Sequence, residues 1–151
     1  MLGLKPLSYS ASLEKHSNHP IAKSITEAYD GEFMDVDQFE VLLGLGIKGF
    51  INKKEVYVGS LNLVKSMKLD PSKFDYNLYL NQGKTVFFTV IDKVVVNMIA
   101  VEDPLKETAL GVIKELKRRN ITPYMITGDQ DITAKYIASQ LGIEHVFSEV
   151  L

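Results

Sequence analysis

Residues 85–101 read TVFFTVIDKVVVNMIAV and predict two β-strands joined by a tight turn. Both runs are rich in β-branched and aromatic residues, and Asp92 and Lys93 between them have the spacing of a two-residue hairpin loop. Upstream, FEVLLGLGIKGFINKKEVYVGS (39–60) reads as further short strands, with a second turn at 52–54. These segments predict an antiparallel sheet.

Helices are predicted on both sides of the first strands. One spans 8–16, a second begins at Pro20 and ends at Gly31, and a third begins at Pro71 and stops before Gly83. Proline has no amide hydrogen and fits the first turn of a helix, whereas glycine adopts the left-handed conformation that ends one. Together with the sheet, these helices make an α+β unit.

In the last third of the chain the predicted helices and short strands alternate. Such alternation over about fifty residues implies parallel strand pairing and an α/β arrangement. The predicted organisation is therefore an α+β domain over 1–98, followed by part of an α/β domain over 99–151. The alternating segments are a helix that starts at Asp103 and Pro104 and continues through Leu116, a second helix over 132–141, and two strands at 121–126 and 143–147.

The composition of the 151 residues excludes several classes of function. The net charge is −2, which gives no electrostatic basis for binding nucleic acid or an anionic membrane. Cysteine is absent, which excludes disulfides, thiolate metal sites and a cysteine nucleophile. No apolar run reaches the roughly 20 residues of a membrane-spanning helix, so we expect a soluble chain.

The segment GLGIKG at 44–49 matches the G-x-G-x-x-G pattern of dinucleotide-binding folds. That interpretation requires a helix directly after the glycines, to hold a pyrophosphate at its N-terminus. The residues that follow alternate like a hairpin, which argues against it. Two interpretations stay open: a glycine-rich strand or bulge, and a place where a ligand approaches the backbone closely.

His19 precedes Pro20 and is therefore driven toward extended backbone geometry. Its imidazole either projects from a helix junction toward a ligand or is a surface histidine beside a helix cap. A metal site formed by Glu14, His16 and His19 lacks a convincing fourth ligand.

Two further segments follow predicted strands, where open α/β sheets bind ligands. Thr127 and Gly128 can donate hydrogen bonds to a phosphate, whereas the carboxylate of Asp129 suits magnesium or a turn amide. The alternative is a simple helix cap. Asp103 and Pro104 form a good helix start, and Lys106 either faces phosphate oxygens or lies in solvent.

Several of these segments, in this order, resemble the heavy-metal-transporting P-type ATPases. The match runs from about 11 to 151 and is most similar to the bacterial copper-exporting branch. ASLEKHSNHPIAKSI resembles the helix-turn with the S-E-H-P signature, GLGIKG the G-x-G segment, and VGSLNLV the V-G-N element. IAVEDPLKETALGVIKELKRRNITPYMITGDQ resembles the D-P-x-K helix followed by the T-G-D strand end.

The resemblance implies an ATP-binding domain inserted into a haloacid-dehalogenase-like, Rossmann-like phosphorylation domain, with ATP and, in the intact parent, Mg²⁺ as cofactors. It places adenine near the histidine, the glutamate and the glycines. The resemblance implies that the residues that bind ATP are Glu14, His19, Pro20, Gly44, Gly46, Ile47 and Gly59. The phosphate-proximal roles pass to Asp103, Lys106, Thr127, Gly128 and Asp129.

Three residues depart from the family's pattern: Asn18 replaces a glutamate, Ser60 an asparagine, and Gln130 an asparagine. The D-K-T-G-T that carries the phosphorylated aspartate and the late G-D-G-x-N-D do not occur in these residues. The resemblance thus predicts a fragment without hydrolytic activity of its own. Its expected partners are ATP or ADP and the rest of the parent ATPase, namely its membrane, actuator and remaining phosphorylation domains.

The resemblance also implies a cytoplasmic location on an inner-membrane transporter. Exposed edges of the partial parallel sheet favour self-association. Two alternatives are a stand-alone truncated nucleotide-binding or regulatory module and a haloacid-dehalogenase-type phosphatase. The phosphatase needs an aspartate pair after an early strand, whereas Asp35 and Asp37 lie in a polar loop with no strand before it.

Overall fold

A computed structural model describes residues 5–102 and 105–150 of the chain. These residues divide into two compact units. The first comprises Met1–Phe74 and Val86–Val101, and the second comprises Asp75–Thr85 and Glu102–Leu151. The short segment Asp75–Thr85 belongs to the second unit, and the predicted domain boundary between 98 and 99 stays a prediction.

The first unit is built on a five-stranded sheet whose strands neighbour one another in sequence order. The pairings of the first four strands are antiparallel, as the alternating sequence predicts. The strands are β1 (Asp37–Leu42), β2 (Gly46–Ile51), β3 (Lys54–Gly59), β4 (Thr85–Ile91) and β5 (Val94–Val101).

Two tight turns connect these strands where the sequence predicts them. Asn52 and Lys53 both have positive φ, of 51° and 63°, and so do Asp92 and Lys93, of 48° and 65°. Positive φ at both central residues gives the turn whose twist matches that of the flanking strands. The predicted hairpins are confirmed.

Three helices belong to the first unit: α1 (Pro6–Glu14), α2 (Pro20–Glu27) and α3 (Leu61–Ser66). The first is displaced by two residues from its predicted range. The prediction that α2 continues to Gly31 is wrong, because the helix ends with Ala28 as its C-cap. The short helix α3 is not predicted, although Leu61, Leu63 and Val64 are buried on it.

Helix α1 is buried along most of its length and packs on the sheet. Its small residues allow close approach: Ser10 and Ser12 are fully buried, and the Ser10 hydroxyl lies 2.7 Å from the hydroxyl of Thr89 on β4. Ser12 donates to the carbonyl of Ser8 and accepts from the amide of Met34. The apolar cluster between the helix and the sheet consists of Tyr9 and Leu13 of α1 with Ile47, Ile51, Val56 and Val58 of the strands.

The second unit contains a pair of parallel strands covered on one face by helices. Its buried cluster, Ala138, Leu141 and Ile143, packs with Met125 and Val146 of the strands. Its elements are α4 (Tyr76–Leu80), α5 (Ala109–Arg118), β6 (Tyr124–Ile126), α6 (Asp131–Leu141) and β7 (His145–Phe147), with β6 and β7 parallel.

Two helix starts differ from the predictions for this unit. Helix α4 begins at Tyr76, five residues after Pro71, although Gly83 follows its end with φ of 75° as expected. Helix α5 begins at Ala109, with Thr108 as its N-cap. The predicted start at Asp103 and Pro104 lies outside the described residues, and 105–108 are not helical.

In the residues that the structure describes, no helix has the length and apolar character needed to cross a membrane.

Candidate functional site

The turn between α1 and α2 fixes the orientation of His19. As expected for a residue before proline, its backbone is extended, with φ of −69° and ψ of 139°. Its Nδ1 accepts a hydrogen bond from the amide of Ile21 at 3.3 Å and so caps α2. Because Nδ1 is occupied, the Nε2 edge is the polar part of the ring that is left for a ligand. The ring also makes an edge contact with Phe87, with centroids 6.4 Å apart.

Glu14, the last residue of α1, carries a buried carboxyl group that is only 6% exposed. Burial raises its pKa from an ordinary 4.5 to about 7, and a hydrogen bond from the Ser17 side chain partly offsets that rise. Loss of hydration disfavours the carboxylate, so this group exchanges its proton near neutral pH.

Both side chains open onto one groove of the first unit, with a volume of about 640 Å³. That volume lies within the range of small-molecule sites. Lys15 sits 4.7 Å above the ring of Phe33, and Lys23 pairs with Glu27 at 3.7 Å. The groove is lined by Glu14, Lys15, Ser17, Asn18, His19, Ala22, Lys23, Thr26, Glu27 and Phe33.

Several groove residues were not singled out from the sequence. Ser17 is the most informative of them, because its hydroxyl contacts both the Glu14 side chain and the backbone of His19. A serine two residues before an N-cap residue is a local signal for such a turn. Phe33 gave no comparable signal, since it reaches the groove only through the tertiary fold.

Two of the three glycines assigned to nucleotide binding form a cross-strand pair. Gly46 on β2 lies opposite Gly59 on β3. A Cβ on Gly46 would overlap the carbonyl oxygen of Val58 and lie 2.5 Å from the Cα of Gly59. A Cβ on Gly59 would overlap the carbonyl oxygen of Leu45 and lie 2.6 Å from Leu63 Cδ2. The absence of side chains therefore lets two backbones approach each other closely.

A tight turn with Gly44 at its third position precedes this pair. Leu45 donates its amide hydrogen to the Leu42 carbonyl at 2.9 Å, and Gly44 has φ of 71°. The Leu45 carbonyl in turn accepts from the amide of Ser60 at 2.9 Å. A strand, β2, follows the glycines instead of a helix, which rules out the dinucleotide-fingerprint geometry.

The structure brings some of the predicted ATP-binding residues together and leaves others apart. Glu14 and His19 share the groove, whereas Gly44, Gly46, Ile47 and Gly59 are not among the residues that line it. Ile47 is 5% exposed and belongs to the apolar cluster between α1 and the sheet. The link between the two sets is the packing of α1 on the sheet. Nothing is described for the side chain of Pro20.

In the second unit, Thr127–Asp129 form a closed loop between β6 and α6. The Thr127 hydroxyl donates to the Asp129 carboxylate at 2.7 Å and accepts from the Asp129 amide at 3.1 Å. Backbone bonds from Glu149 to Asp129 and from Val150 to Thr127 hold the loop against the residues after β7. The loop lies at the carboxyl end of a parallel strand and before a helix N-terminus, where anions are favoured.

The two other residues predicted to lie near the phosphates, Lys106 and Asp103, are not part of this loop. Lys106 is exposed in the segment before α5, where its carbonyl accepts from the Ala109 amide. Asp103 lies outside the described residues. Across 5–102 and 105–150, no three histidine, aspartate or glutamate side chains are grouped as a metal site would require. Asp129 alone does not provide a magnesium site.

Comparison with known proteins places the chain among the haloacid dehalogenase-like hydrolases, whose family profile matches residues 4–151. A copper-exporting P-type ATPase from Staphylococcus epidermidis is 39% identical over 147 residues, which are 93% of this chain. Copper-transporting ATPase 1 from Rhizobium meliloti is 37% identical over 150 residues, or 96% of the chain. The matched region covers 18% of the length of each relative.

Solved structures agree with the fold. The catalytic domain of the CPx-ATPase CopB-B superposes with a TM-score of 0.68 at 22% identity, covering 96% of this chain and 51% of that one. The N-domain of HMA8, a copper-transporting P-type ATPase, gives 0.53 at 25% identity, covering 68% of this chain and 93% of that domain. The chain therefore belongs to the haloacid dehalogenase-like hydrolases, and the relatives that it resembles are copper-transporting P-type ATPases.

Proposed function

We propose that this segment binds ATP as the nucleotide-binding part of a heavy-metal-translocating P-type ATPase, with copper as the transported metal. The observation that carries the proposal is the meeting of a buried carboxyl acceptor, Glu14, and an oriented imidazole, His19, on one groove. The names of the two relatives described above support the choice of copper.

Adenine has chemistry that this groove can recognise. Its exocyclic amine is a hydrogen-bond donor that the Glu14 carboxylate can accept, and its flat face can stack on an aromatic ring such as that of His19. The cross-strand pair Gly46–Gly59 serves the site by keeping the β2–β3 backbone compact beneath α1.

We assign the second unit a role near the phosphates. The loop Thr127–Asp129 would lie there together with Lys106 and Asp103, while the longer protein supplies the aspartate that accepts the phosphoryl group and the Mg²⁺ that accompanies ATP. Phosphoryl transfer then depends mainly on positioning and charge stabilisation. The membrane helices that carry the metal, and a location on the cytoplasmic side of that membrane, belong to the same proposal.

The proposal predicts weak ATP binding that His19→Ala weakens further. Loss of a ring contact and a hydrogen bond is expected to cost about 1–2 kcal/mol, or roughly five- to thirty-fold in affinity. Titration with ATP and ADP, followed through backbone amide shifts, measures both the affinity and the residues affected.

His16→Ala is a matched control for this experiment. His16 lies on the same turn, but its ring packs 5.8 Å from that of Phe39 and does not line the groove. We expect this variant to bind ATP like the parent. Amide shifts that spare both 14–20 and 44–47 would contradict the assigned site.

The chain by itself is predicted not to turn over ATP at a significant rate. Phosphoryl transfer requires an acceptor held in line with the γ-phosphate. The Asp129 carboxylate instead accepts a hydrogen bond from Thr127 within its own loop. The measurement is phosphate release with magnesium and γ-labelled ATP, together with protein labelling. An aspartyl label on this chain, with turnover abolished by mutation of that aspartate, would contradict the prediction.

A further inference from the structure

The hydroxyl of Ser17 lies between the two polar residues of the groove. Its Oγ accepts a hydrogen bond from the backbone amide of His19 at 3.1 Å, and its side chain lies close enough to the Glu14 carboxyl to lower the pKa of that group. The backbone amide of Ser17 also donates to the carbonyl of Glu14 at 2.9 Å. A hydroxyl offers one donor and two acceptor positions, so it can serve both neighbours at once.

We propose that Ser17 is a positioning residue that holds the Glu14 carboxyl and the His19 turn in the geometry that binds the nucleobase. The inference rests on the proposed function, since it concerns the same groove. Ser17 acts through these two residues and needs no contact with the nucleotide itself.

The basic side chains near Glu14 interact with other groups, so the Ser17 hydroxyl is the group that orients the Glu14 carboxyl. Lys15 is held over Phe33, Lys23 pairs with Glu27, and the His16 ring packs against Phe39. In the described part of the chain, no cation lies within ion-pair distance of Glu14. The pKa of Glu14 fits this arrangement, because burial raises it and the Ser17 hydrogen bond lowers it.

The same turn links the hydroxyl to the start of α2. Ser17 Oγ holds the amide of His19, and His19 Nδ1 holds the amide of Ile21. Loss of the hydroxyl would therefore loosen the backbone from which the imidazole projects and remove a donor that favours the ionised form of Glu14. Both effects weaken recognition of an amine donor.

The test compares Ser17→Ala, Ser17→Thr and the control Ser24→Ala in the same chain. Ser24 is exposed on α2 and does not line the groove. For each variant, the carboxyl ¹³C shift of Glu14 is titrated against pH without nucleotide, and ATP affinity is measured at neutral pH. Ser17→Ala is expected to raise the midpoint of Glu14 and to weaken ATP binding about three- to tenfold. Threonine keeps the hydroxyl and should restore both, and Ser24→Ala should change neither.

The outcomes separate this inference from the proposed function. If the parent binds ATP and Glu14→Gln weakens binding, but Ser17→Ala leaves affinity unchanged, the positioning role is overturned and the function stands. Failure of threonine to restore what alanine loses overturns it as well, because the hydroxyl would not be responsible. If the parent shows no ATP binding at residues 14–20, the proposed function falls and this role falls with it. Circular dichroism of each variant establishes that it is folded.

Discussion

The variant Gly46→Ala is expected to lower the free energy of unfolding of the first unit by about 3 kcal/mol. A methyl group at this position meets the Val58 carbonyl oxygen and the Cα of Gly59, which are backbone atoms that cannot rotate away. The backbone there also has φ of 150°, which residues with a Cβ rarely adopt. Urea unfolding followed by circular dichroism measures the change, and ATP affinity should fall as a consequence of the distorted β2–β3 backbone.

Gly111→Ala provides the matched control, because the same chemical change has the opposite expected sign. A Cβ at Gly111, an exposed position within α5, would meet no heavy atom within 4 Å apart from its chain neighbours and the backbone of its own helix. Alanine in a helix interior is favoured over glycine by about 0.5–1 kcal/mol, so a small gain in stability is expected. A Gly46→Ala variant as stable as the parent would show that β2 and β3 can move apart at no cost, contrary to the packing described.

The variant Glu14→Gln is expected to be more stable than the parent at pH 8 and to bind ATP less tightly. The pKa of Glu14 is about 7 in the folded chain and 4.5 ordinarily, so the folded state holds the proton more tightly than the unfolded state. The free energy of unfolding therefore decreases as pH rises from about 4.5 to about 7, and the loss is complete above that interval. Glutamine carries no charge and removes a penalty of about 3 kcal/mol at pH 8.

Urea unfolding of the two proteins at pH 8 and at pH 4 measures this difference, which should be large at pH 8 and nearly absent at pH 4. ATP affinity should fall about five- to thirtyfold, because a charge-assisted acceptor is replaced by a neutral one. Glu27→Gln is the control, since Glu27 lines the same groove but is exposed and paired with Lys23. Equal stabilities of the Glu14→Gln variant and the parent at pH 8 would contradict the burial of this charge.

The hairpins and parallel pair were predictable because their signals are local. Turn residues that accept positive φ, such as Asn52 and Asp92, stand between runs of β-branched residues, and the strands end where those runs end. Helix α3 is not predicted because it has only six residues, which is less than two helical turns and too short to show a helical spacing of apolar residues. The start of α5 at Ala109 is not predicted either. Asp103 and Pro104 are residues that favour a helix start, but such residues do not by themselves fix the position at which the helix begins.

The candidate site likewise contains features that local sequence predicts and features that it does not. The extended backbone of His19 follows from Pro20 alone. The pairing of Gly46 with Gly59 joins two segments of the sequence, and so does the approach of Phe33 to the groove. Neither can be read from local pattern, because strand register and tertiary packing decide them. The predicted ATP contacts of Gly44, Gly46, Ile47 and Gly59 stay predictions.

The hydroxyl contact between Ser10 and Thr89 has a consequence for the order of assembly during synthesis. The two residues are 79 positions apart, so α1 leaves the ribosome long before the strand that buries it exists. At roughly 5–20 residues per second, the delay is about 4–16 s. Until β4 is made, α1 can pack only on the strands that precede β4, and the Ser10 hydroxyl lacks its partner; a nine-residue helix is marginal on its own. The packing of α1 is therefore complete only after β4 has been made.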